Sequence, residues 1–369
     1  MTKLIDLNQC LYVGIDPHKD AHVALATNRF EEKLGVFKVP NNLKEIESFL
    51  KQIEVLAHQK KSLTTIFGIE GSRGNGELLT QHLIKNNSIV YEVNPVRTHE
   101  NRRKTISRDK SDLKDAEKII TELTRKLQEL PLLTVESESK LPTAINETSL
   151  YRDELVREQT AIKNQLHILF HKDNPDYQSL FKTIFSQKAL KYWFLRAKYK
   201  EKKSTDILER IRAKFMRMKI KRLKEIEKEI KILEEELKLL IAKSKQQLET
   251  LRGISTTTAA QILGEIRNIS RFKGPDRYVR YCGIAPQEVS SGKKKKFKKS
   301  KTGNRRLNSA IYRIALTQIR TDPKVKEYFL KKIAEGKTKR HAITCIMRRI
   351  AVIIYGMLRT KGAYIQSGN

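Results

Sequence analysis

Residues 11–16 read Leu-Tyr-Val-Gly-Ile-Asp, a short apolar run that ends in a carboxylate. A run of this kind is typical of a buried strand whose last residue emerges at the edge of a sheet. Residues 65–70, Thr-Ile-Phe-Gly-Ile-Glu, repeat the pattern and are followed by the small residues Gly71 and Ser72, which leave room for a ligand. The two runs predict strands at whose ends Asp16 and Glu70 can meet.

The surrounding segments predict an α/β domain over residues 1–141. Strand patterns occur at 22–27, 34–39 and 88–93, and amphipathic helical patterns occur at 42–58 and 76–85. The closely spaced early strands favour antiparallel hairpins. The later alternation of strands and helices favours a mixed sheet with helices on its faces.

Residues 142–247 predict a helical region rich in Lys, Glu, Leu and Ile, with a loop at 173–186. In its second half, apolar residues recur at intervals of three and four, which is the spacing of a coiled-coil seam. The seam residues are Leu223, Ile226, Ile230, Leu233, Leu237 and Leu240. Because the repeat covers only about two and a half heptads, an oligomerising coiled coil and an intramolecular helical hairpin both stay open.

Residues 248–369 predict a mainly α-helical C-terminal domain, with helices at 251–266, 305–320 and 340–357. Between the first two lies a lysine-rich run, residues 290–301, in which Phe297 is the lone apolar side chain. A run without an apolar face predicts a solvated loop or hairpin, and so much positive charge is useful beside phosphate.

The charge of the whole chain points the same way. Its 369 residues include 75 Lys and Arg against 42 Asp and Glu, a formal net charge of +33, which exceeds what solubility requires and predicts nucleic acid as a partner. Three cysteines without a CxxC pair argue against a disulfide framework or a cysteine zinc site. The N-terminus lacks a signal-peptide pattern, and the near-apolar run 350–358 is too short to span a bilayer, so we expect neither export nor a membrane.

Four acids predict a metal site. Asp112 and Asp115 are three residues apart, which places both on one face of a helix. Together with Asp16 and Glu70 they offer four oxygen donors, the ligands that Mg²⁺ prefers, and two such ions can clamp the attacking and leaving oxygens of phosphoryl transfer. Each acid alone is equally typical of a turn or a helix cap, so the hypothesis of a two-metal, nuclease-like site rests on the combination.

A candidate nucleophile precedes the lysine run. Ser290 and Ser291 stand before Gly292, which permits close approach of a DNA backbone. An activated serine can form a covalent intermediate that conserves the energy of a phosphodiester. Ser-Gly is also a common turn, so the residues alone do not separate the two interpretations.

Several short motifs occur in a fixed order along the chain. They are Gly-Ile-Asp-x-x-Lys-x-x-His at 14–22, Ile-Glu-Gly at 69–71, Asn-Pro at 94–95, Lys-Ser-Asp-x-x-Asp-Ala at 110–116, Leu-Tyr-Arg-x-Glu-Leu-Val-Arg-Glu at 150–158, Tyr-Cys-Gly-Ile-Ala-Pro at 281–286, Ser-Gly at 291–292 and Lys-x-Gly-Asn-Arg-Arg-Leu at 301–307. With this ordered set the chain resembles the insertion-sequence 110 family of transposases, over residues 11–170 and 248–360.

The resemblance implies a RuvC-like ribonuclease H fold for residues 1–141, a coiled-coil connection over 142–247, and a transposase domain over 248–369. It also implies that Ser291 is the catalytic serine and that Mg²⁺, two ions per site, is held by a tetrad of Asp16, Glu70, Asp112 and Asp115. Family members are recombinases guided by a structured noncoding bridge RNA. They assemble as oligomers in which the serine of one subunit joins the tetrad of another.

We therefore expect a DNA transposase or recombinase of the prokaryotic cytoplasm, associated with the nucleoid, that acts as a dimer or tetramer with DNA and a guide RNA. The chain contains no GxxxxGK[ST] loop, so no nucleotide cofactor is expected. The expected nucleic-acid contacts are Lys293, Lys294, Lys295, Lys296, Lys298, Lys299, Lys301, Asn304, Arg305 and Arg306.

Two alternatives remain: a metal-only nuclease or junction resolvase in which Ser291 is a turn residue, and a non-enzymatic scaffold with degenerate carboxylates. The chain also departs from the family. Residues 252–255 read Arg-Gly-Ile-Ser where the family has Pro-Gly-Ile-Gly, and residues 172–203 match nothing in it.

Overall fold

The computed structural model describes residues 6–72, 74–93, 112–134, 140–291, 294–299 and 303–365, with residues 286–291 and 294–299 described by their backbone alone. Contacts divide the chain into two compact units, Met1–Thr143 with Gln246–Asn369, and Ala144–Lys245. The predicted first and third domains thus share one unit, and the predicted helical region corresponds to the other. The division into three functional domains stays a prediction.

The N-terminal part of the first unit is a six-stranded mixed sheet in the order β3-β2-β1-β4-β5-β6. Its strands are β1 (Cys10–Asp16), β2 (Ala21–Thr27), β3 (Lys33–Pro40), β4 (Thr64–Glu70), β5 (Ile89–Val93) and β6 (Leu132–Leu133). Strands β1, β4 and β5 are parallel, whereas β2 runs antiparallel to both β1 and β3, and β6 runs antiparallel to β5. The predicted mixed sheet and its early hairpins are confirmed.

Helices cover both faces of this sheet. Helices α1 (Leu43–Gln59) and α2 (Glu77–Lys85) bury Ile46 and Leu79 against the odd-numbered side chains of β1. Helix α3 (Asp112–Lys126) buries Ile119 against the even-numbered ones. The sheet is therefore buried on both sides, which explains why β1 and β4 read as nearly continuous apolar runs rather than as alternating patterns.

Two glycines let α3 lie unusually close to the sheet. A Cβ at Gly14 would stand 2.8 Å from the carbonyl oxygen of Ala116, and a Cβ at Gly68 would stand 2.6 Å from the side chain of Leu123. Both separations are shorter than real Cβ contacts, so a side chain at residue 14 would push the α3 backbone away and one at residue 68 would displace Leu123. This close packing fixes the height of α3 above the ends of β1 and β4.

The second unit contains three helices, α4 (Lys140–Asp173, which begins in the first unit), α5 (Gln187–Lys203) and α6 (Ile207–Ser244). Turns at residues 174–186 form the predicted loop. Helices α4 and α6 run antiparallel, because Arg152 pairs with Glu234 at 2.8 Å while Arg222 pairs with Glu158, also at 2.8 Å. The core between the helices includes Phe170 stacked on Trp193, with ring centroids 4.5 Å apart.

The predicted seam on α6 belongs to this core. Leu223, Ile226 and Ile230 are buried with apolar side chains of α4, and Leu237 and Leu240 are buried as well. Of the two alternatives left open by the sequence, the structure shows the intramolecular helical hairpin. Because most seam side chains pack within one chain, the structure favours the hairpin over an intermolecular coiled coil, and the oligomeric state stays a prediction.

The C-terminal part of the first unit is mainly helical, as predicted. Its helices are α7 (Thr256–Ile266), α8 (Pro275–Tyr281), α9 (Arg305–Thr321), α10 (Pro323–Ala334) and α11 (Lys339–Thr360). The lysine-rich run forms an antiparallel hairpin of β7 (Pro286–Ser291) and β8 (Lys294–Lys299). Helix α10 was not predicted, although Asp322 caps it and Pro323 opens it, a common start signal.

Helix α11 is the one helix in the described part of the chain that is long and apolar enough to cross a membrane by length and composition. Half of its most apolar window is buried in the fold. Its inward face includes Ile346, Ile350 and Ile354, while Arg348 and Arg349 lie on its exposed face. In this structure α11 is a core helix of the first unit.

Candidate active site

Asp16 and Glu70 lie side by side at the carboxyl ends of two neighbouring parallel strands. The preceding residues, Ile15 and Ile69, are paired in the register of β1 and β4. Because side chains alternate along a strand, the two acids face the same side as Gly14 and Gly68, which is the side covered by α3.

Helix α3 begins above these strand ends and brings Asp112 and Asp115 in its first turn. A histidine from the β1–β2 turn connects the two elements. The Nε2 atom of His18 lies 3.3 Å from Oδ2 of Asp16 and 3.4 Å from Oδ1 of Asp112. Ligand atoms of all three residues lie within 4.8 Å of one another. The structure therefore joins two of the four predicted acids in one cluster.

Asp115 is placed differently from Asp112. It is buried, and its Oδ1 accepts a hydrogen bond from Nζ of Lys118 at 2.8 Å. Lys118 lies one turn further along α3, so the ammonium group compensates a carboxylate that would otherwise be costly to bury. Within the predicted tetrad, the carboxylates of Asp16 and Asp112 thus lie next to His18. Glu70 lies beside Asp16 at the end of the neighbouring strand, and Asp115 is paired with Lys118 of its own helix.

His18 is the site residue that our sequence prediction missed. Its place two residues after Asp16, beyond Pro17, was the available signal. The backbone N–H of His18 donates to Nδ1 of His22 at 3.3 Å. Burial lowers the pKa of His22, so its ring is neutral near pH 7 and keeps Nδ1 free to accept this bond. His22 therefore helps to hold the turn that carries His18.

The cluster fits a divalent cation. Two carboxylates and one imidazole converge on it, and Nε2 of His18 is buried without a hydrogen-bond partner among the described residues. A buried nitrogen without such a partner is costly, and a metal ion supplies the missing interaction. Carboxylates that converge in this way repel one another until a cation lies between them.

The predicted nucleophile lies on a separate element. Ser291 is the last residue of β7 and pairs with Lys294, the first residue of β8, in the register of the hairpin. The intervening Gly292 and Lys293, and also Lys301, lie outside the described residues. The lysines of β8 are described by their backbone alone, so contacts of the Ser291 and lysine side chains stay predictions.

A cavity of about 660 Å³ opens at the base of this hairpin. Gly283 and Gly303, which precede β7 and follow β8, form part of its wall. The remaining wall comes from the N-terminal halves of α9 and α11 and carries two arginines, hydroxyl groups and an aromatic ring: Arg305, Asn308, Ser309, Tyr312, Arg340, Ile343, Thr344 and Met347. Guanidinium groups beside an open cavity suit phosphate, and an exposed tyrosine ring suits a base.

Two of the predicted nucleic-acid contacts also make polar contacts within the fold, and their contact with nucleic acid stays a prediction. Asn304 caps α9 and also donates to Glu265 at 2.6 Å, while Arg306 pairs with the same carboxylate at 2.8 Å. Glu265 is buried on α7, so it needs both partners. Arg305, between them in sequence, lines the cavity.

A buried ion pair connects the sheet to the C-terminal helices within the first unit. Arg271 donates to Glu92 of β5, and Glu92 also accepts a hydrogen bond from Ser72 at 3.1 Å. The Arg271 guanidinium lies over the rings of Phe272 and Tyr281, each centroid 5.1 Å away. Because Ser72 follows Glu70 by two residues, this network also braces the loop beside the acids.

Comparison with known families gives two matches along the chain. A model of IS110-type DEDD transposases, described as a transposase, matches residues 13–175. A second model, described as the transposase IS116/IS110/IS902 family, matches residues 245–330. The first match contains all four predicted acids and His18, and the second contains the hairpin and six of the ten residues that line its cavity.

Individual relatives align with shorter segments. The chain is 34% identical over 98 residues to the insertion element IS900 uncharacterized 42 kDa protein of Mycobacterium paratuberculosis, which covers 26% of the chain and 25% of the relative. It is 27% identical over 115 residues to the insertion element IS116 uncharacterized 44.8 kDa protein of Streptomyces clavuligerus, covering 31% and 29%. A pilin gene-inverting protein of Moraxella bovis is 29% identical over 115 residues, covering 30% and 36%. The chain thus spans between a quarter and about a third of the length of these relatives.

Proposed function

The chain belongs to the IS116/IS110/IS902 family of transposases, and from this premise we propose that it is a DNA recombinase that cleaves and rejoins strands through a metal site and a serine nucleophile. We further propose that its N-terminal sheet domain has the RuvC-like ribonuclease H fold. The mixed sheet with helices on both faces, and the acids at the ends of adjacent strands, support this assignment.

The convergence of Asp16, His18 and Asp112 is the observation that carries the proposal. In the proposed site the tetrad of Asp16, Glu70, Asp112 and Asp115 binds two Mg²⁺ ions. Such ions, when bound, neutralise charge on the phosphate and help to activate the nucleophile. The carboxylates orient the ions, and the tight packing of α3 on β1 keeps the distances between them fixed.

Ser291 provides the covalent step in this proposal. Its Oγ attacks the phosphorus of a phosphodiester, the Oγ–P bond forms as the P–O bond to one strand end breaks, and that end leaves as a free hydroxyl. The hydroxyl proton of Ser291 passes to a base or to solvent, and the oxygen of the departing strand end takes up a proton from the same base or from solvent. A hydroxyl of another strand end then attacks the phosphoserine and reverses the step, so the strands rejoin without a nucleotide cofactor.

Strand joining, rather than cutting alone, is favoured by one relative. The Moraxella bovis protein is named as a pilin gene-inverting protein, and inverting a gene requires both cutting and joining. By analogy we infer that this chain joins strands too, although analogy alone does not fix the chemistry of the site.

We propose that the charge of the chain is used to bind DNA and a structured guide RNA. The net charge of +33, the lysines of β8 and the arginines of the hairpin cavity support a nucleic-acid partner. We also propose a dimer or tetramer that acts in the prokaryotic cytoplasm at the nucleoid. Since the α6 seam is covered within the chain, such an oligomer would use other surfaces.

A trapped covalent adduct tests the proposal. The protein is incubated with Mg²⁺ and end-labelled DNA that spans the junctions of the element, the reaction is stopped with denaturant, and the products are separated on a denaturing gel. We expect labelled DNA attached to protein, and we expect Ser291→Ala to abolish both the adduct and strand joining. Asp16→Ala should abolish cleavage without weakening nucleic-acid binding.

The neighbouring serine provides the matched control. Ser290→Ala should leave the adduct intact. Normal cutting by Ser291→Ala without any adduct would identify a metal-only nuclease or resolvase, and loss of the adduct in Ser290→Ala alone would move the nucleophile by one residue. Sequencing of the RNA that copurifies with the protein tests the guide: RNA with no segments complementary to the element end and target would contradict it.

A further inference from the structure

The imidazole nitrogen Nε2 of His18 lies within 3.4 Å of carboxylate oxygens of both Asp16 and Asp112. We propose that His18 is a direct nitrogen ligand of the metal centre and that this nitrogen shifts its preference from Mg²⁺ toward Mn²⁺ and similar transition metals. The inference rests on the proposed carboxylate site. It adds a nitrogen to the proposed set of oxygen ligands. The experiment below distinguishes a failure of this inference from a failure of the proposed carboxylate site.

The spacing of the ligand atoms supports coordination. Nε2 of His18 is 3.3 Å from the Asp16 carboxylate and 3.4 Å from the Asp112 carboxylate. A charge-assisted hydrogen bond between such groups is shorter, about 2.7–2.9 Å. Ligand atoms that share one ion at about 2.1 Å lie roughly 3.0 Å apart at right angles and roughly 3.4 Å apart at the tetrahedral angle. The observed separations therefore match two neighbours of one ion better than two hydrogen-bond partners.

The burial of the nitrogen supports the same assignment. Nε2 is shielded from solvent and has no hydrogen-bond partner among the described residues, although the side chain as a whole is 41% exposed. The ring therefore directs its nitrogen inward, between the two carboxylates, and leaves its opposite edge open. A partly exposed histidine without a ligand role would direct this nitrogen toward water, which satisfies its hydrogen bonds.

The backbone around His18 is fixed in a way that suits a ligand. Pro17 restricts the chain immediately before it, and the N–H of His18 donates to the fully buried ring of His22. Asp16, on the other side of Pro17, is the last residue of β1. The two ligands from this turn are thus anchored to the sheet, while the third, Asp112, is anchored by α3.

The chemical consequence concerns metal choice. Mg²⁺ takes oxygen ligands almost exclusively, whereas imidazole nitrogen suits transition metals such as Fe, Ni, Cu and Zn; Mn²⁺, which also accepts oxygen ligands, lies at the weakly binding end of that series. A site with one nitrogen among carboxylates still binds Mg²⁺, but more weakly than a site made of oxygen ligands alone. We therefore expect Mn²⁺ to bind more tightly than Mg²⁺, and we expect the difference to depend on residue 18.

Pulsed electron paramagnetic resonance of the full-length protein with Mn²⁺ tests the proposal directly. Wild-type protein should show coupling between Mn²⁺ and a histidine nitrogen, verified by ¹⁵N-histidine labelling. His18→Ala should lose this coupling and bind Mn²⁺ at least about tenfold more weakly by calorimetry. His18→Asp replaces nitrogen by oxygen and should retain Mn²⁺ without nitrogen coupling while binding Mg²⁺ more tightly than wild type.

Two controls separate this inference from the proposed function. His58→Asn changes an exposed histidine at the end of α1 and should leave both the coupling and the affinity unchanged. Asp16→Ala should remove metal binding altogether. Bound Mn²⁺ without nitrogen coupling in the wild type, or coupling that survives in His18→Ala, would overturn the role of His18 while the carboxylate site stands. Equal Mn²⁺ binding by wild type and Asp16→Ala would overturn the carboxylate site and the role of His18 with it.

Discussion

The backbone of Gly14 lies directly against Ala116, so that a Cβ at residue 14 would stand 2.8 Å from the carbonyl oxygen of Ala116. This contact sets the distance between β1, which ends at Asp16, and α3, which begins at Asp112. The geometry of the cluster of Asp16, His18 and Asp112 therefore depends on a residue that carries no side chain.

Gly14→Ala should lower the stability of the first unit by about 1–3 kcal/mol, because α3 must move away from the sheet to admit a methyl group. The same movement should weaken Mn²⁺ binding. Gly356→Ala is the matched control: Gly356 lies on the exposed face of α11 with open space around it, and the change should stabilise the helix by about 0.5–1 kcal/mol. Urea unfolding measures both, and equal stability of the two variants would show that α3 is not held by this contact.

The covered seam of α6 predicts different effects for two nearby leucines. Leu237 is fully buried, whereas Leu239 is 60% exposed on the same helix. Leu237→Asp should cost several kcal/mol and reduce helical circular dichroism, because it buries a charge among apolar side chains. Leu239→Asp should change stability by about 0.5 kcal/mol or less. If Leu237→Asp instead left the fold intact and halved the mass in light scattering, the seam would be a subunit interface after all.

The buried ion pair between Arg271 and Glu92 should be a main support of the contact between the sheet and the C-terminal helices. Arg271 is 1% exposed, so Glu92→Gln leaves a buried guanidinium without its charge partner and should destabilise the first unit by about 3–5 kcal/mol. Arg280→Ala removes the half-exposed pair with Glu129 and should cost about 1 kcal/mol or less. Thermal unfolding distinguishes them. An equal loss of stability in the two variants would show that the Arg271–Glu92 pair contributes no more than an exposed ion pair.

The three cysteines should react with thiol reagents in a fixed order. Cys10 and Cys282 are buried, and burial raises the pKa of each thiol, whereas Cys345 is partly exposed. At pH 8 a chromogenic disulfide should label Cys345 first and the others only on unfolding. Since the two buried thiols keep their protons longer in the folded state, their contribution to stability should be present below pH 9 and be lost as pH rises above it. Rapid labelling of Cys345→Ser would contradict this order.

The hairpin cavity should contribute phosphate contacts. Arg305→Ala and Arg340→Ala should each weaken binding to DNA or RNA and lower the salt dependence of log K by about one unit of slope. Arg125→Ala is the control, because it removes the same single positive charge at a distant position, where Arg125 is paired with Glu31 on the sheet domain. Fluorescence anisotropy over a salt series measures the slopes. Identical slopes for all three variants and the wild type would remove the cavity from the interface.

Much of the sheet domain was predictable, because its elements depend on local signals. The apolar runs that became β1 and β4 end at Asp16 and Glu70 as predicted, since a strand buried on both faces must be apolar until it emerges. Similarly, the spacing of Asp112 and Asp115 placed both in the first turn of a helix. Residue type and spacing carry this information without reference to distant parts of the chain.

Only the tertiary structure determined which surfaces meet. The periodicity of α6 identified an apolar face but not its partner, and the partner proved to be α4 of the same chain. Asn304 and Arg306 both contact the buried Glu265, about forty residues away, and no local pattern in the sequence predicted this pairing. His18 joined the acidic cluster because a turn from β1 and the start of α3 converge in space. Local sequence fixes periodicity and chemistry, whereas the pairing of charges and apolar faces is decided by the burial of the whole chain, which no single segment encodes.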